Sequence, residues 1–196
     1  MKRINILFLA AFMAFSACDE TQQPEPVLSN IIETAATSYI IPAGAHYSLQ
    51  SKLMPMTLIS LKFRAFFDNS AMYLTKDPKN QADINKLYGV SDCATAHQQN
   101  SARFGWVWNN NRLEIWAYVY TNAQRKNVFV EAVSLNAYHT FEISFTDTSY
   151  IFKVNDRTVA LSRHCKGTAE GYKLYPYFGG DEPAPHEVTI LIEDLP

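Results

Sequence analysis

Hydrophobic and polar positions alternate along most of the chain. Over residues 57–67, Ile59, Leu61, Phe63, Ala65 and Phe67 fall on one side of a two-residue period and Ser60, Lys62 and Arg64 on the other. That is the signature of a strand with one buried and one wet face. The same period predicts strands over 102–108, 112–120, 126–133, 140–146, 150–155, 158–161, 172–178 and 187–193. Asn109-Asn110-Asn111 separates the first two of these, and asparagines tolerate the positive φ of a tight turn, so a hairpin is expected there. Asn155-Asp156 marks a second turn. Only one stretch invites a helix, with Asp77 as cap, Pro78 at the first helical position and Gly89 as its stop. About ten short strands with no fixed-period repeat predict an all-β domain, a two-sheet antiparallel sandwich of the jelly-roll type with at most one short helix.

The amino terminus follows a different rule. Lys2 and Arg3 precede an apolar run over 4–15, broken only by Asn5, and Ser16 and Ala17 lead to Cys18. This order reads as a secretory signal, and the run is too short to span a bilayer. Phe15-Ser16-Ala17-Cys18 resembles the lipobox of bacterial lipoproteins. The resemblance implies cleavage before Cys18, lipidation of that Cys and a membrane anchor through the lipid. Residues 19–26, DETQQPEP, are polar and acidic, as a solvated tether should be. Acids directly after the lipid-bearing Cys also resemble the export signal of Bacteroidetes surface lipoproteins. The expected organisation is a signal peptide over 1–17, a lipidated Cys and tether over 18–38, and one domain over 39–196. The expected location is the outer membrane or cell surface.

Within the domain, the succession RFGWVW, RLEIWAYVY, TFEISF and YIFKVNDRTVAL resembles concanavalin A-like (laminin-G-like) jelly rolls. In that group a Phe-x-Val-Asn-Gly hairpin commonly follows a strand of the TFEISF kind; here Asp156 stands in place of the Gly. The resemblance covers roughly a third of the chain and implies a pattern of strands, not a chemistry.

Charge narrows the partners. Formal net charge is −2, and removing residues 1–17 takes Lys2 and Arg3 but no acid, leaving −4. No excess of cations exists to neutralise a phosphate backbone, so nucleic acid is not an expected partner. With Cys18 assigned to lipid, Cys93 and Cys165 remain, and an even pair in an exported chain points to a disulfide. The rival is a zinc site with His97 and His164, which is awkward because adjacent His164 and Cys165 point to opposite sides of a strand. No metal or cofactor is expected.

Three clusters are candidates for ligand contact. Residues 91–108 gather His97, Gln99, Asn100 and Arg103 ahead of an aromatic strand, polar groups that suit sugar hydroxyls and, through Arg103, a uronate carboxylate. They equally suit turn hydrogen bonds. Trp106 and Trp108, with Trp116 on the partner strand, form either a stacking platform for sugar rings or part of the core. On the strand over 172–178, Lys173, Tyr175 and Tyr177 share one face, a set that fits an anionic sugar chain or the rim of any sandwich. Asp181 and Glu182 lack the ladder of acids that calcium loops use. His186 reads as an edge residue.

The function expected from these observations is non-catalytic binding of a polysaccharide or oligosaccharide by a surface lipoprotein. A retaining glycosidase needs two nearby carboxylates, commonly from an E-x-D-x-x-E-type strand, and no such strand is present; Glu114 and Glu142 are single on theirs. A polysaccharide lyase is the alternative, with Arg103, His97 and Tyr177 as carboxylate neutraliser, base and acid, although the Gln-x-His and Tyr-Phe-Lys-Ala-Gly signatures of alginate-type lyases are absent. A structural or partner-binding subunit of a surface complex is the third reading.

Overall fold

The computed structural model describes residues 35–196. The signal peptide, the lipobox with Cys18 and nearly all of the expected tether lie outside those residues. Twelve strands form the fold: β1 (Thr37–Ile41), β2 (Pro55–Leu58), β3 (Ser60–Phe67), β4 (Asn85–Ser91), β5 (Ser101–Asn109), β6 (Arg112–Thr121), β7 (Gln124–Val133), β8 (Tyr138–Phe145), β9 (Ser149–Val154), β10 (Arg157–Ser162), β11 (Ala169–Leu174) and β12 (Val188–Asp194). They pair antiparallel in two six-stranded sheets, ordered β1-β12-β3-β8-β9-β10 and β2-β11-β4-β5-β6-β7. The domain is the two-sheet jelly-roll sandwich that the alternation predicts.

The core lies where the inner faces meet. Phe63 stacks on Phe141 with centroids 5.0 Å apart, and Phe104 meets Phe141 and Phe152 edge-on at 5.1 Å, the offset and T-shaped contacts that ring quadrupoles favour. Both turns form as expected. Asn110 and Asn111 adopt φ of 51° and 57°, closing the β5–β6 hairpin, and Asn155 takes φ of 49° between β9 and β10.

Two expectations are corrected. Residues 57–67 are not one strand: β2 ends at Leu58 in one sheet, and β3 begins at Ser60 in the other. Ile59 sits at the crossing, exposed. The helix expected after Asp77 is a single 3₁₀ turn, Pro78–Asn80. Its cap is real, since Asp77 accepts from the Lys79 amide, but the turn stops at once and the chain enters β4, paired with β5 and β11. Sheet pairing on both sides of β4 outweighs the local helical signal. β1 begins at Thr37, inside the last residues of the expected tether.

Cys93 and Cys165 are joined by a disulfide with Cα atoms 5.6 Å apart, an ordinary bridging distance. Their sulfurs are bonded to each other and so are not free as thiolate ligands. His97 turns instead to Tyr172.

Candidate functional site

A groove of about 620 Å³ lies over the outer face of the second sheet. Its floor follows from strand register. Residues directly opposite across an antiparallel pair share a face, and Arg103 on β5 lies opposite Tyr118 on β6, while Ser101 lies opposite Tyr120. Ala102, Phe104 and Trp106 take the other face and are wholly buried in the core. Gly89 on β4 lies opposite Arg103 from the other side; a Cβ there would come within 2.3 Å of the Arg103 Cβ. Only a glycine leaves room for Arg103 in that position.

Lys86 reaches the same face through an irregularity. The β4–β5 register shifts between Lys86 and Gly89, so Leu87 and Tyr88 are both buried while Lys86 points into the groove. After Leu174 the chain leaves β11 but keeps contact with β4, as Lys86 and Tyr177 exchange both backbone hydrogen bonds at 2.8 and 2.9 Å. Tyr177 therefore stands beside Lys86. The Lys86 Nζ donates to the Gly179 carbonyl at 2.8 Å and lies 5.2 Å and 5.8 Å from the Tyr118 and Tyr177 ring centres. Burial, with the neighbouring Arg103 charge adding to it, pulls the Lys86 ammonium down to about 8.

Arg103 is the centre of the site. It is 9% exposed, its Nε makes no hydrogen bond, and no carboxylate pairs with it among the described residues. Its guanidinium lies 5.4 Å from the Tyr118 ring centre, and burial pulls it below its ordinary value while the Tyr118, Tyr120, Tyr172 and Tyr177 hydroxyls act in the opposite sense. Tyrosines are weak compensation for a buried cation. Arg125 and Lys52 add two further cations to the lining, and none of the lining residues is acidic.

His97 forms one wall. Its backbone N–H donates to the Tyr172 hydroxyl at 3.0 Å, and its Nδ1 lies 2.9 Å from the same oxygen. Burial first, and the Arg103 charge second, lower the His97 pKa, so the ring is neutral near pH 7. Burial raises the Tyr177 pKa, which keeps its phenol protonated there.

The structure thus brings His97, Arg103 and Tyr177 to one groove and takes other candidates elsewhere. Trp106 is core, packed against Phe67, Tyr73 and Phe178. Trp108 is partly buried against that core. Trp116 is on the outer face but half-buried against Phe129 and outside the groove lining. Among the described residues the three tryptophans therefore do not share one face: Trp106 and Trp108 lie toward the core and Trp116 lies on the outer side. Lys173 and Tyr175 border the groove, but the Lys173 Nζ pairs with Asp194 at 2.6 Å and the Tyr175 ring packs on Tyr39 and Tyr88, while Tyr172, next along β11, faces the groove. Asn100 is a turn residue, donating to Thr95 and accepting from the Asn122 amide, and the Gln99 carbonyl accepts from Ala123. Gln98, its neighbour, lines the groove instead.

Two further residues prove structural. The Glu182 carboxylate accepts from the Lys76 and Asp77 amides and from Asn80, which lowers its pKa. His186 bonds the Ser70 carbonyl at 2.8 Å. Sequence reasoning missed three cations of the lining, Lys86, which fell inside the expected helix, and Arg125 and Lys52.

No protein-family model matches the chain, and no curated relative does. Solved structures match at the level of fold. The alginate lyase AlyC3 aligns over 80% of this chain and 72% of its own, at 12% identity and a TM-score of 0.52. The alginate lyase A1-II', a member of polysaccharide lyase family 7, aligns over 80% and 76%, at 10% identity and 0.51. SCLam, a non-specific endo-beta-1,3(4)-glucanase of family GH16, aligns over 72% of this chain and 58% of its own, at 9% identity and a TM-score of 0.49. The two alginate lyases share the fold of this chain, a two-sheet jelly-roll sandwich.

Proposed function

We propose that this protein binds an acidic polysaccharide in the groove without cutting it, as a lipoprotein anchored through Cys18 at the cell surface. The observation that carries the groove reading is Arg103. A buried guanidinium without a carboxylate is costly to keep, and its fork of donors matches a carboxylate in two parallel hydrogen bonds. Lys86, Arg125 and Lys52 extend the positive field along the groove, and the partly exposed Tyr120, Tyr172 and Tyr177 offer ring surface to sugars. Fold likeness to alginate lyases is consistent with such a ligand but does not carry it.

A β-eliminating lyase is the second reading, favoured by the presence of His97, Arg103 and Tyr177 in one groove in suitable protonation states. In that reaction Arg103 would neutralise the uronate carboxylate, neutral His97 would take the proton next to it, and the electron pair would form a double bond as the glycosidic C–O bond breaks. The Tyr177 phenol would pass its proton to the leaving oxygen.

One experiment separates the two. Uronate-containing and neutral polysaccharides are offered to the protein, with binding and the absorbance of unsaturated uronate followed together. Binding without absorbance, lost in Arg103→Met, is the expected result; accumulation of absorbance would establish the lyase, and binding to no acidic polymer would reject both. The anchor is tested separately by Cys18→Ala, which should release the protein from membranes.

A further inference from the structure

The groove does not end at Tyr172. Beyond that ring, the outer face of β11 and β2 carries a second, shallower depression of about 610 Å³, and Leu53 and Tyr172 line both. In register, Pro55 lies opposite Tyr172 and Thr57 opposite Glu170, so these four side chains share the outer face. Ala94, Thr95 and Ala96 close the other side. Joined end to end, the two depressions cross all six strands of the sheet, from Arg125 on β7 to Thr57 on β2.

The two halves differ in charge. Up to Tyr172 the lining holds Arg125, Arg103, Lys86 and, beside Leu53, Lys52, with the Asp194-paired Lys173 at its border and no acid. Past Tyr172 it holds no lysine or arginine, and its single charged residue is the exposed Glu170. Its remaining surface is largely apolar or neutral, with Leu53, Pro55, Ala94 and Ala96. A chain laid along this path meets a positive field and then a weakly negative one. Screening acts over about 8 Å at physiological ionic strength, so a carboxylate over Arg103 and a carboxylate beside Glu170 experience different potentials.

We infer that the ligand is an acidic heteropolysaccharide, in which the unit whose carboxylate meets Arg103 is followed, across Tyr172, by an uncharged unit seated against Leu53, Pro55 and Ala96. The inference rests on the acidic-groove reading and adds the composition of the chain. An uncharged sugar suits the second half because its apolar ring face, or an acyl substituent, covers the alanine and proline surface. A polymer with a carboxylate on every unit must place one against Glu170, where like charges repel.

The test uses two homopolyuronates, polygalacturonate and polymannuronate, and two alternating polymers, hyaluronan and unsulfated chondroitin, titrated at one salt concentration. The alternating pair should bind more tightly. Glu170→Lys should move the preference toward the homopolyuronates by about threefold, the scale of one exposed charge interaction, and Ala96→Arg should move it the same way. Arg103→Met should abolish binding of all four. If Glu170→Lys and Ala96→Arg leave the preference unmoved while Arg103→Met still abolishes binding, the composition is wrong and the acidic groove stands. If no polymer binds, or Arg103→Met changes nothing, the groove reading falls and this inference with it.

Discussion

Arg103 and Arg163 are buried to nearly the same degree, at 9% and 5% exposed, and their surroundings could hardly differ more. Arg163 spends every donor inside the protein. Its Nε and Nη2 reach the two Asp92 carboxylate oxygens at 2.8 and 3.2 Å, and its Nη groups donate to the carbonyls of Thr146, Gly167 and Thr168. Asp92 in turn accepts from the Tyr150 hydroxyl and the Cys93 amide. The Cys93–Cys165 bridge ties down the same corner. Arg103 has tyrosine rings and no carboxylate. A guanidinium carries five donors in a fixed fork; where the protein fills the fork the arginine is a strut, and where it leaves the fork open the arginine is a site.

The contrast breaks most severely at the strut. Asp92→Ala leaves the Arg163 charge buried and unpaired, and losing one partner of such a pair costs about 3–5 kcal/mol. Urea denaturation of that variant against the parent should show a loss on this scale. A fully stable variant would mean that the Arg163 fork is dispensable.

Next in size is the bridge beside it. Closing a loop whose ends are 72 residues apart stabilises by about 4 kcal/mol in the chain-entropy model, so reduction should lower the thermal midpoint of the isolated protein markedly. Because Asp92 adjoins Cys93 and Arg163 lies close to Cys165, reduction and Asp92→Ala should not be additive. Additive losses in a double-mutant comparison would separate the two devices.

Arg103→Met sharpens the comparison from the other side. Replacing an uncompensated buried charge with an apolar side chain of similar reach is neutral or stabilising, so the variant should keep or gain stability. Its binding of acidic polysaccharide should be lost, since the charge-assisted bidentate contact it removes is the centre of the groove. A destabilised Arg103→Met would place Arg103 among the struts.

The smallest expected effect is a pH dependence from Lys86, with its pKa near 8. The groups around it are the Arg103 and Arg125 charges, the Asp83 carboxylate, the Tyr118 and Tyr177 rings and the Gly179 carbonyl. Between about pH 8 and 10.5 the unfolded chain holds this proton more firmly than the folded one, so this group's contribution to stability rises with pH over that window. Binding has the opposite sign, because the neutral amine no longer attracts an anion. Affinity should decline a few-fold from about pH 7 to 9, and Lys86→Met should flatten the decline; an unchanged slope in that variant would assign it elsewhere.

Much of this was legible in the sequence, for physical reasons that can be named. Alternation in β3 and the asparagine turn between β5 and β6 are local properties, and the structure keeps them. Alternation carries no information about which sheet a strand joins, and so the chain could change sheets at Ile59 without a mark in the pattern. The Asp77-Pro78 signal was also sound over its own turn, but hydrogen bonding of β4 to β5 and β11 overruled its extension. On β11 the alternation placed Lys173 opposite in sense to Tyr172 correctly; which of the two faces meets solvent depended on Asp194, Tyr39 and Tyr88, all distant in sequence. Lys86 escaped notice because the helical signal from Asp77 to Gly89 spans it, and the register shift that buries Leu87 and Tyr88 together leaves no two-residue period there to argue for a strand.

From its residues alone, this protein was determined to be a β-sandwich with one pair of thiols in its domain and a few polar and aromatic groups capable of holding sugars. Each of those properties rests on neighbours within a few positions or on composition. The tertiary structure decided which tryptophans are core, which arginine is satisfied and which cations share a groove. Those outcomes turn on burial and on partners far away in the chain: Asp92 lies 71 residues from Arg163, and Tyr177 exchanges hydrogen bonds with Lys86 although strands β5 to β11 intervene in the sequence. The energy of a buried charge is set by the groups that surround it, and those are assembled only when the chain folds.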